Sequence, residues 1–323
     1  MPRVLRTARM RLLRISPSET LFSRRGFRGG DAQVRHTLER VGACFLDGYH
    51  ASIEEDAPEQ IAARLDKVEL SFRGFAYEGG AMGLALLDAM TPWHKNRFER
   101  FLAGPGAAHK YMVHVGAGWA IARLPWLRLR LERALSRLDS LLRWLAVDGY
   151  GFHEGYFHWP QSVTARRVPA GVNGYAKRAF DQGLGRSLWF VEGAQVDRIV
   201  ATIATFPASR HSDLWSGVGL ACGYAGGVGK TQVEELLRQS GEFRAHLAQG
   251  AAFAAKARQL AGNPAEHTAL ACEVICGKTP DAAALVTDKA LQEIPPDGDG
   301  TVPRYEAWRQ RIRSMLASER VRT

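Results

Sequence analysis

The sequence predicts an all-α protein of stacked helix pairs, each about 34 residues long, forming one elongated domain of the TPR/SEL1-like α-solenoid kind. Three observations predict it. A small-residue signature recurs at Gly116-Ala-Gly118-Trp119, Gly149-Tyr-Gly151-Phe152, Gly183-Leu-Gly185-Arg186, Gly217-Val-Gly219-Leu220 and Gly250-Ala-Ala252-Phe253, in steps of 33, 34, 34 and 33 residues. Weaker members at Gly80 and Gly42 continue the series backwards by steps of 36 and 38. Between signatures, apolar residues recur at helical spacing, and prolines or paired glycines punctuate the chain. Glycine costs a helix interior roughly 1 kcal/mol against alanine. Its repeated use therefore implies helix axes that approach closely, with the first and third signature positions facing a neighbouring helix.

The chain divides into a basic N-terminal arm at 1–30, a helical-repeat domain at 31–294, and a linker with a basic C-terminal helix at 295–323. In the arm, Arg3, Arg6, Arg9, Arg11 and Arg14 alternate with apolar residues. Two readings fit: an amphipathic helix for an acidic partner or anionic membrane, or a solvated arm. From Asp31, Val34, Leu38, Val41 and Phe45 keep helical spacing, and 58–68 returns with Ile61, Leu65 and Val68 on one stripe. The next pair is 75–90 and 93–102, the second opened by Thr91 as cap and Pro92 in the first turn. Helices follow at 110–124 and 127–138. After the Gly149 helix, 160–174 holds Pro160, Pro169, Gly171 and Gly174 and reads as a loop where a return helix is due. Pairing then resumes at 175–192 with 194–206, 213–224 with 231–239, and 243–260 with 264–276, before a last repeat helix at 280–291 and a breaker at 295–300.

Composition narrows the function. With 46% hydrophobic and 24% charged residues the chain is ordinary globular material. Its net charge of +10 is terminal: residues 1–30 balance at +7 (eight arginines, Glu19) and 304–323 at +4 (six arginines, Glu306 and Glu319), which leaves the middle at about −1. A nucleic-acid partner is therefore not expected. Four scattered cysteines suit a reducing compartment. The arginines near the start lack a following apolar h-region, and no run of about 18 apolar residues offers a transmembrane segment. Cytoplasmic localisation is the expectation.

Two groups of residues are candidate sites. Positions one before and three and seven after each first glycine share a helix face. They place Asp148, Gln182, Ser216 and Gln249 in a ladder with Phe152, Tyr156, Arg186 and Phe190, facing a concave groove suited to a long apolar ligand; inter-repeat core is the alternative. If the groove is solvated, replacing Gln182 and Arg186 leaves folding nearly intact. The second group is Tyr150, Glu154 and His158, at i, i+4 and i+8 beside the irregular loop, where a carboxylate near an imidazole can act as an acid/base pair.

No metal or cofactor is expected. His153-Glu154-Gly155-Tyr156-Phe157-His158 is one residue longer than H-E-x-x-H, and on a continuous helix its histidines point about 140° apart. Cys272 and Cys276 lack a second ligand pair. Ala225-Gly226-Gly227-Val228-Gly229-Lys230-Thr231 resembles a phosphate loop but has Tyr224 where the pattern needs glycine, and a helix where it needs a strand.

The wording of four segments is also familiar: Ser23-Arg24-Arg25-Gly26-Phe27-Arg28-Gly29-Gly30-Asp31, Arg73-Gly74-Phe75-Ala76-Tyr77-Glu78-Gly79-Gly80-Ala81-Met82, 148–157 and 180–190. Over roughly residues 15–290 the chain resembles a bacterial family of unknown function carried in enediyne biosynthetic gene clusters beside the iterative polyketide synthase. The resemblance implies an accessory role in maturing a polyene or enediyne intermediate, with the synthase or other pathway proteins as partners. It supplies no catalytic residues. A non-catalytic scaffold that docks pathway enzymes along its repeats is the rival expectation.

Overall fold

Why the glycines recur is visible in the contacts they make. The computed structural model describes residues 3–91, 93, 96–295, 300 and 302–320, and among these every regular element is helical. After α1 (Arg3–Leu13) come seven long helices: α2 (Ala32–Glu54), α3 (Arg73–Met90), α4 (Lys110–Arg123), α5 (Arg143–Phe157), α6 (Tyr175–Val191), α7 (Ala208–Ala225) and α8 (Arg244–Ala261). Then follow α9 (Pro280–Gln292) and α10 (Arg304–Arg320). Each of α2 to α8 packs on the next, and α8 packs on α9. Shorter helices return between them, at Pro58–Leu65, Arg97–Ala103, Pro125–Arg128, Leu131–Leu135, Val196–Ala204, Lys230–Gln239 and Glu266–Ala271. Pro92 and residues 296–299 and 301 lie outside the described residues, so the expected first-turn proline and most of the breaker are not placed.

The glycines follow one rule. A Cβ on the first signature glycine would strike a backbone carbonyl of the preceding long helix: Gly149 meets Val115 O at 2.0 Å, Gly183 meets Asp148 O at 1.8 Å, Gly217 meets Gln182 O at 2.0 Å, and Gly250 meets Ser216 O at 2.0 Å. The third-position glycine does the same to the following helix, Gly118 on Ala146 O at 1.9 Å and Gly151 on Phe180 O at 2.0 Å. The interfaces from α4 to α8, and that of α2 with α3, are therefore clamped reciprocally by two bare Cα atoms against two carbonyls, a distance only a residue without Cβ permits, while α3 and α4 are joined by Gly116 alone. The rule corrects the weaker members. Gly116 presses on Glu78 O at 2.2 Å and Gly79 on Phe45 O at 1.9 Å, which makes Gly79 the first glycine of α3, where the pattern suggested Gly80. In α2 the clamp is Gly48, on Ala76 O at 1.8 Å; Gly42 instead faces Thr20 and Tyr156.

The elongated array was a wrong expectation, because the series closes on itself. Phe75 of α3 meets Tyr224 of α7 edge to face at 5.1 Å, and the Arg258 guanidinium of α8 donates to Ser71 O at 3.1 Å. The Ala107–His109 turn touches α8, and Gly227 after α7 lies against Val34 and Leu38 of α2. Both terminal segments, as far as they are described, are built into the closed body. Ile15, Phe22 and Phe27 are core residues, Arg9 is buried against Asp56 at 2.8 Å, and Tyr49 Oη donates to Leu13 O at 2.8 Å. Neither a solvated arm nor a boundary at residue 30 describes this segment. The C-terminal helix α10 lies against α8 and α9 with Tyr305, Trp308, Arg309, Ile312 and Leu316 buried. The irregular 160–174 stretch opens with one π-helical turn, Pro160–Thr164, and then runs as a loop pinned by Val172. No described helix is long and apolar enough to cross a membrane.

Candidate functional site

The ladder exists, and it is buried. Asp148, Gln182, Ser216 and Gln249 are each 0% exposed, and Phe152, Tyr156, Arg186 and Phe190 each fall below 8%. The expected solvated groove is thus an internal space ringed by α2 to α8 and closed by the chain's own ends. Asp148 accepts from Gln182 Nε2 at 2.8 Å and pairs with the Arg186 guanidinium, which stacks 4.8 Å over the Phe152 ring. Gln182 Nε2 also reaches Tyr305 Oη of α10 at 3.2 Å. Ser216 Oγ donates to Gln249 Oε1 at 2.8 Å, and Arg309 Nε of α10 donates to the same oxygen at 3.2 Å. Arg309 further pairs with Asp213 at 2.8 Å and Glu306 at 3.0 Å. Half the ladder therefore serves to seat α10. Removal of Arg186 would strand a buried carboxylate, so its replacement is no longer expected to be neutral for folding.

Reading the register from Gly79 adds a member that sequence reasoning missed. Glu78 stands one residue before that glycine, as Asp148, Gln182, Ser216 and Gln249 stand before theirs. It is 1% exposed, and its Oε1 accepts from Trp119 Nε1 at 2.9 Å. Burial pushes its carboxyl up to about 7, against the downward pull of Arg186 and the Trp119 hydrogen bond. Two narrow apolar cavities of about 30 Å³ lie in this interior. One is lined by Val115, Arg186, Leu220, Tyr224, Phe253 and Trp308. The other is lined by Phe45, Glu78, Trp119, Phe152, Tyr156 and Phe190, and is covered by Ile15, Glu19 and Thr20. Each has room for a water or two. Glu78 edges one cavity and Arg186 the other, so this acid and this base stand between two aromatic chambers.

Of the second predicted group, Glu154 and His158 come together at the i, i+4 spacing read from the sequence, and His153 joins them where the helix ends. Helix α5 ends at Phe157, and Arg25 from the N-terminal segment takes over its last carbonyls, donating to Phe157 O at 2.6 Å and Tyr156 O at 3.2 Å. Pro160 has no N–H with which to continue the ladder. His158 adopts φ −127° and ψ 35°, which folds its ring back over the last turn. Its Nδ1 lies 3.2 Å from Glu154 Oε2, while His153 Nδ1 lies 3.1 Å from Glu154 Oε1. The expectation that the histidines diverge by 140° fails, because it assumed a helix continuous through His158. Burial raises the Glu154 carboxyl, but the two imidazoles outweigh it and hold it down to about 2. Tyr150, one turn earlier, is buried, and burial with the Glu154 charge pushes its phenol up to about 12.

The remaining patterns resolve as packing. Gly226 and Gly227 take positive φ in the turn between α7 and Lys230–Gln239, and Lys230 faces Glu234 and Glu273. Cys272 and Cys276 are buried in a single π-helical turn, with Cys276 Sγ 3.5 Å from Ala248 O and the Cys272 thiol held protonated by its sulfur neighbour and burial.

A family model described as "Protein of unknown function (DUF1702)" matches residues 4–316. The chain belongs to that family. No curated protein and no solved structure matches it. The DUF1702 match begins within α1 and ends within α10, so it takes in most of both closing segments.

Proposed function

We propose that this DUF1702 protein is a cytoplasmic accessory protein of enediyne polyketide biosynthesis that binds an extended apolar intermediate, a polyene, in its interior. The observation that carries the reading is the pair of aromatic-lined cavities flanking Glu78, Arg186 and Asp148. An apolar chamber with few convergent polar groups is the usual form of a small-molecule site. Cavities of about 30 Å³ are too small for a polyene, so binding requires one of the covering segments, residues 15–28 or α10, to move aside. In the same reading the series α2 to α8 is a TPR/SEL1-like solenoid wound until its ends meet, a reading that the repeated glycine clamp supports. Whether the ligand is transformed turns on Glu78, whose proton is available near neutral pH.

The test uses tryptophan emission. Trp119 lines one chamber, and a conjugated polyene seated there quenches it. Saturable quenching of the full-length protein by a linear polyene, lost in a Phe190→Trp variant that fills the chamber, is expected; quenching that grows linearly without saturation would sink the proposal. In a producing strain, deletion of the gene should accumulate the intermediate.

The scaffold reading rests on its own observation. Leu12 (78% exposed), Trp93 (75%), Trp126 (49%) and Leu129 (81%) are large apolar side chains in water. Trp126 borders an outer groove with Ile121, Phe98, Arg130 and Arg133. Exposed aromatics beside arginines are typical of docking surfaces. Co-purification with the polyketide synthase, abolished by Trp126→Ser with Leu129→Ser while polyene quenching persists, would favour it.

A further inference from the structure

The end of α5 assembles a donor set that the chamber does not use. His153, Glu154 and His158 each offer one ligand atom, and the three atoms lie within 4.8 Å of one another. Metal–nitrogen and metal–oxygen bonds of about 2.0–2.2 Å in a tetrahedral site put ligand atoms roughly 3.4 Å apart. The two observed histidine–carboxylate separations, 3.1 and 3.2 Å, are already close to that spacing. We propose that His153, Glu154 and His158 form a binding site for a divalent first-row transition ion of the zinc or iron(II) class, with at least one coordination position open to solvent.

Three features beyond proximity support it. The donor chemistry is selective: two imidazoles with one carboxylate suit zinc or iron(II), whereas calcium and magnesium prefer all-oxygen shells. The site is held from outside its own helix, since Arg25 caps the Phe157 carbonyl and so fixes the backbone turn that brings His158 back. Burial is graded, too. The side chains of His153 and Glu154 are 6% and 12% exposed, while that of His158 is 50% exposed. Two ligands are thus fixed by packing, and the third stands at the surface, where an ion enters and a water completes the shell. Trp119 packs edge-on against His153 at 5.5 Å and limits its ring rotation. Each imidazole that now faces Glu154 through Nδ1 becomes a donor once its proton resides on Nε2. A three-ligand shell with an open position is the arrangement of catalytic sites, while structural zinc sites are closed by four protein ligands.

The experiment takes the full-length protein, stripped with a chelator, and titrates it with Zn²⁺ and separately with Co²⁺. One equivalent should bind, and Co²⁺ should give the visible d–d bands of a low-coordinate site. His158→Ala, at a half-exposed position where folding is safe, should weaken binding by at least tenfold, and Glu154→Gln should do the same. His211→Ala, half-buried elsewhere on α7, should leave it unchanged. Absence of a saturable equivalent in the wild-type protein would overturn the site. So would a His158→Ala variant that melts and binds like wild type. A His211→Ala variant that loses the equivalent would place the ion elsewhere and overturn the assignment equally.

Discussion

Adjacent glycines in α3 offer a sharp test of the packing rule, because Gly79 and Gly80 share helix, burial and propensity and differ only in what they face. A methyl on Gly79 would stand 1.9 Å from Phe45 O and 3.0 Å from Tyr49 N, both backbone. Comfortable carbon–oxygen contact begins near about 3.3 Å, so α2 and α3 would have to separate by roughly 1.4 Å. The same pair is clamped from the other side by Gly48 on Ala76 O. Separation would therefore open the whole interface, and a gap of 0.5–1 Å already forfeits roughly a quarter to a half of each dispersion contact. On Gly80 the nearest atom is Leu65 Cδ1 at 3.3 Å, the end of a side chain that can shift. Both substitutions to alanine gain about 1 kcal/mol of helix propensity. Gly80→Ala is expected to change stability by less than about 1 kcal/mol, whereas Gly79→Ala should lose roughly 3 kcal/mol or more net. At about 2 °C per kcal/mol for a chain of this size, the Gly79 variant should melt about 6 °C or more below wild type. Thermal and urea melts followed by far-UV circular dichroism measure the difference. A Gly80 variant melting at or below the Gly79 variant would refute the clamp and return the register to the one suggested by the 36-residue step.

Arg186→Ala should destabilise by roughly 3–5 kcal/mol by stranding Asp148, and Arg186→Ala combined with Asp148→Asn should recover part of that loss in urea melts. Arg309→Ala should also destabilise, though less, since it removes one partner of Asp213 and of Glu306 and loosens α10 while Arg178 and Arg313 still pair with those carboxylates; near-native stability would mean that α10 docks without the Arg309 contacts. Stability should fall at both ends of a pH series. Burial raises Glu306, but Arg309, Arg313 and Arg178 hold it down to about 2 against an ordinary 4.5, so its contribution of roughly 3 kcal/mol is present above 4.5 and lost as pH falls towards 2. Glu78, raised to about 7, acts with the opposite sign: the unfolded chain releases its proton from 4.5 upward, so stability drains as pH rises from 4.5 through 7, and Glu78→Gln should flatten that side of the curve.

How much of this was legible depends on whether the cause is local. Helix positions were: α4, α6 and α9 end within a residue or two of the expected bounds, because apolar spacing and proline or glycine stops act within one turn. The five strong signatures were legible for the same reason, each being one helix's half of a clamp. Burial of the ladder was not. The pattern one, three and seven residues around each glycine correctly puts Asp148, Gln182, Ser216 and Gln249 on one face, but polar identity alone suggested water. What dries them is α10, supplied from beyond the breaker, where Tyr305 reaches Gln182 and Arg309 reaches Gln249. A signal was present: Trp308 and Tyr305 among the arginines of 304–320 are poor residues for a solvated tail.

The site at the end of α5 marks where spacing arithmetic stops being valid. Five residues at 100° each separate His153 from His158 by 140° only while the helix continues, and the helix stops at Phe157. Pro160 announced a break but not its position, since a proline permits the preceding turn to end anywhere within its reach. The position is set by Arg25, 132 residues earlier in the chain, whose guanidinium holds the Phe157 carbonyl. Trp159 answers by donating its indole N–H to Arg25 O at 2.9 Å, so the contact locks in both directions. Arg25→Ala should therefore do more than remove one hydrogen bond: with the cap gone, the last turn is free to extend, and His158 moves round the helix away from His153 while keeping its i, i+4 place beside Glu154. The two histidine nitrogens then cease to converge. In the cobalt titration this substitution, which touches none of the three donors, should weaken binding nearly as much as His158→Ala, whereas Arg24→Ala next to it should not. Equal binding by Arg25→Ala and wild type would show that the turn at His158 forms without the N-terminal segment.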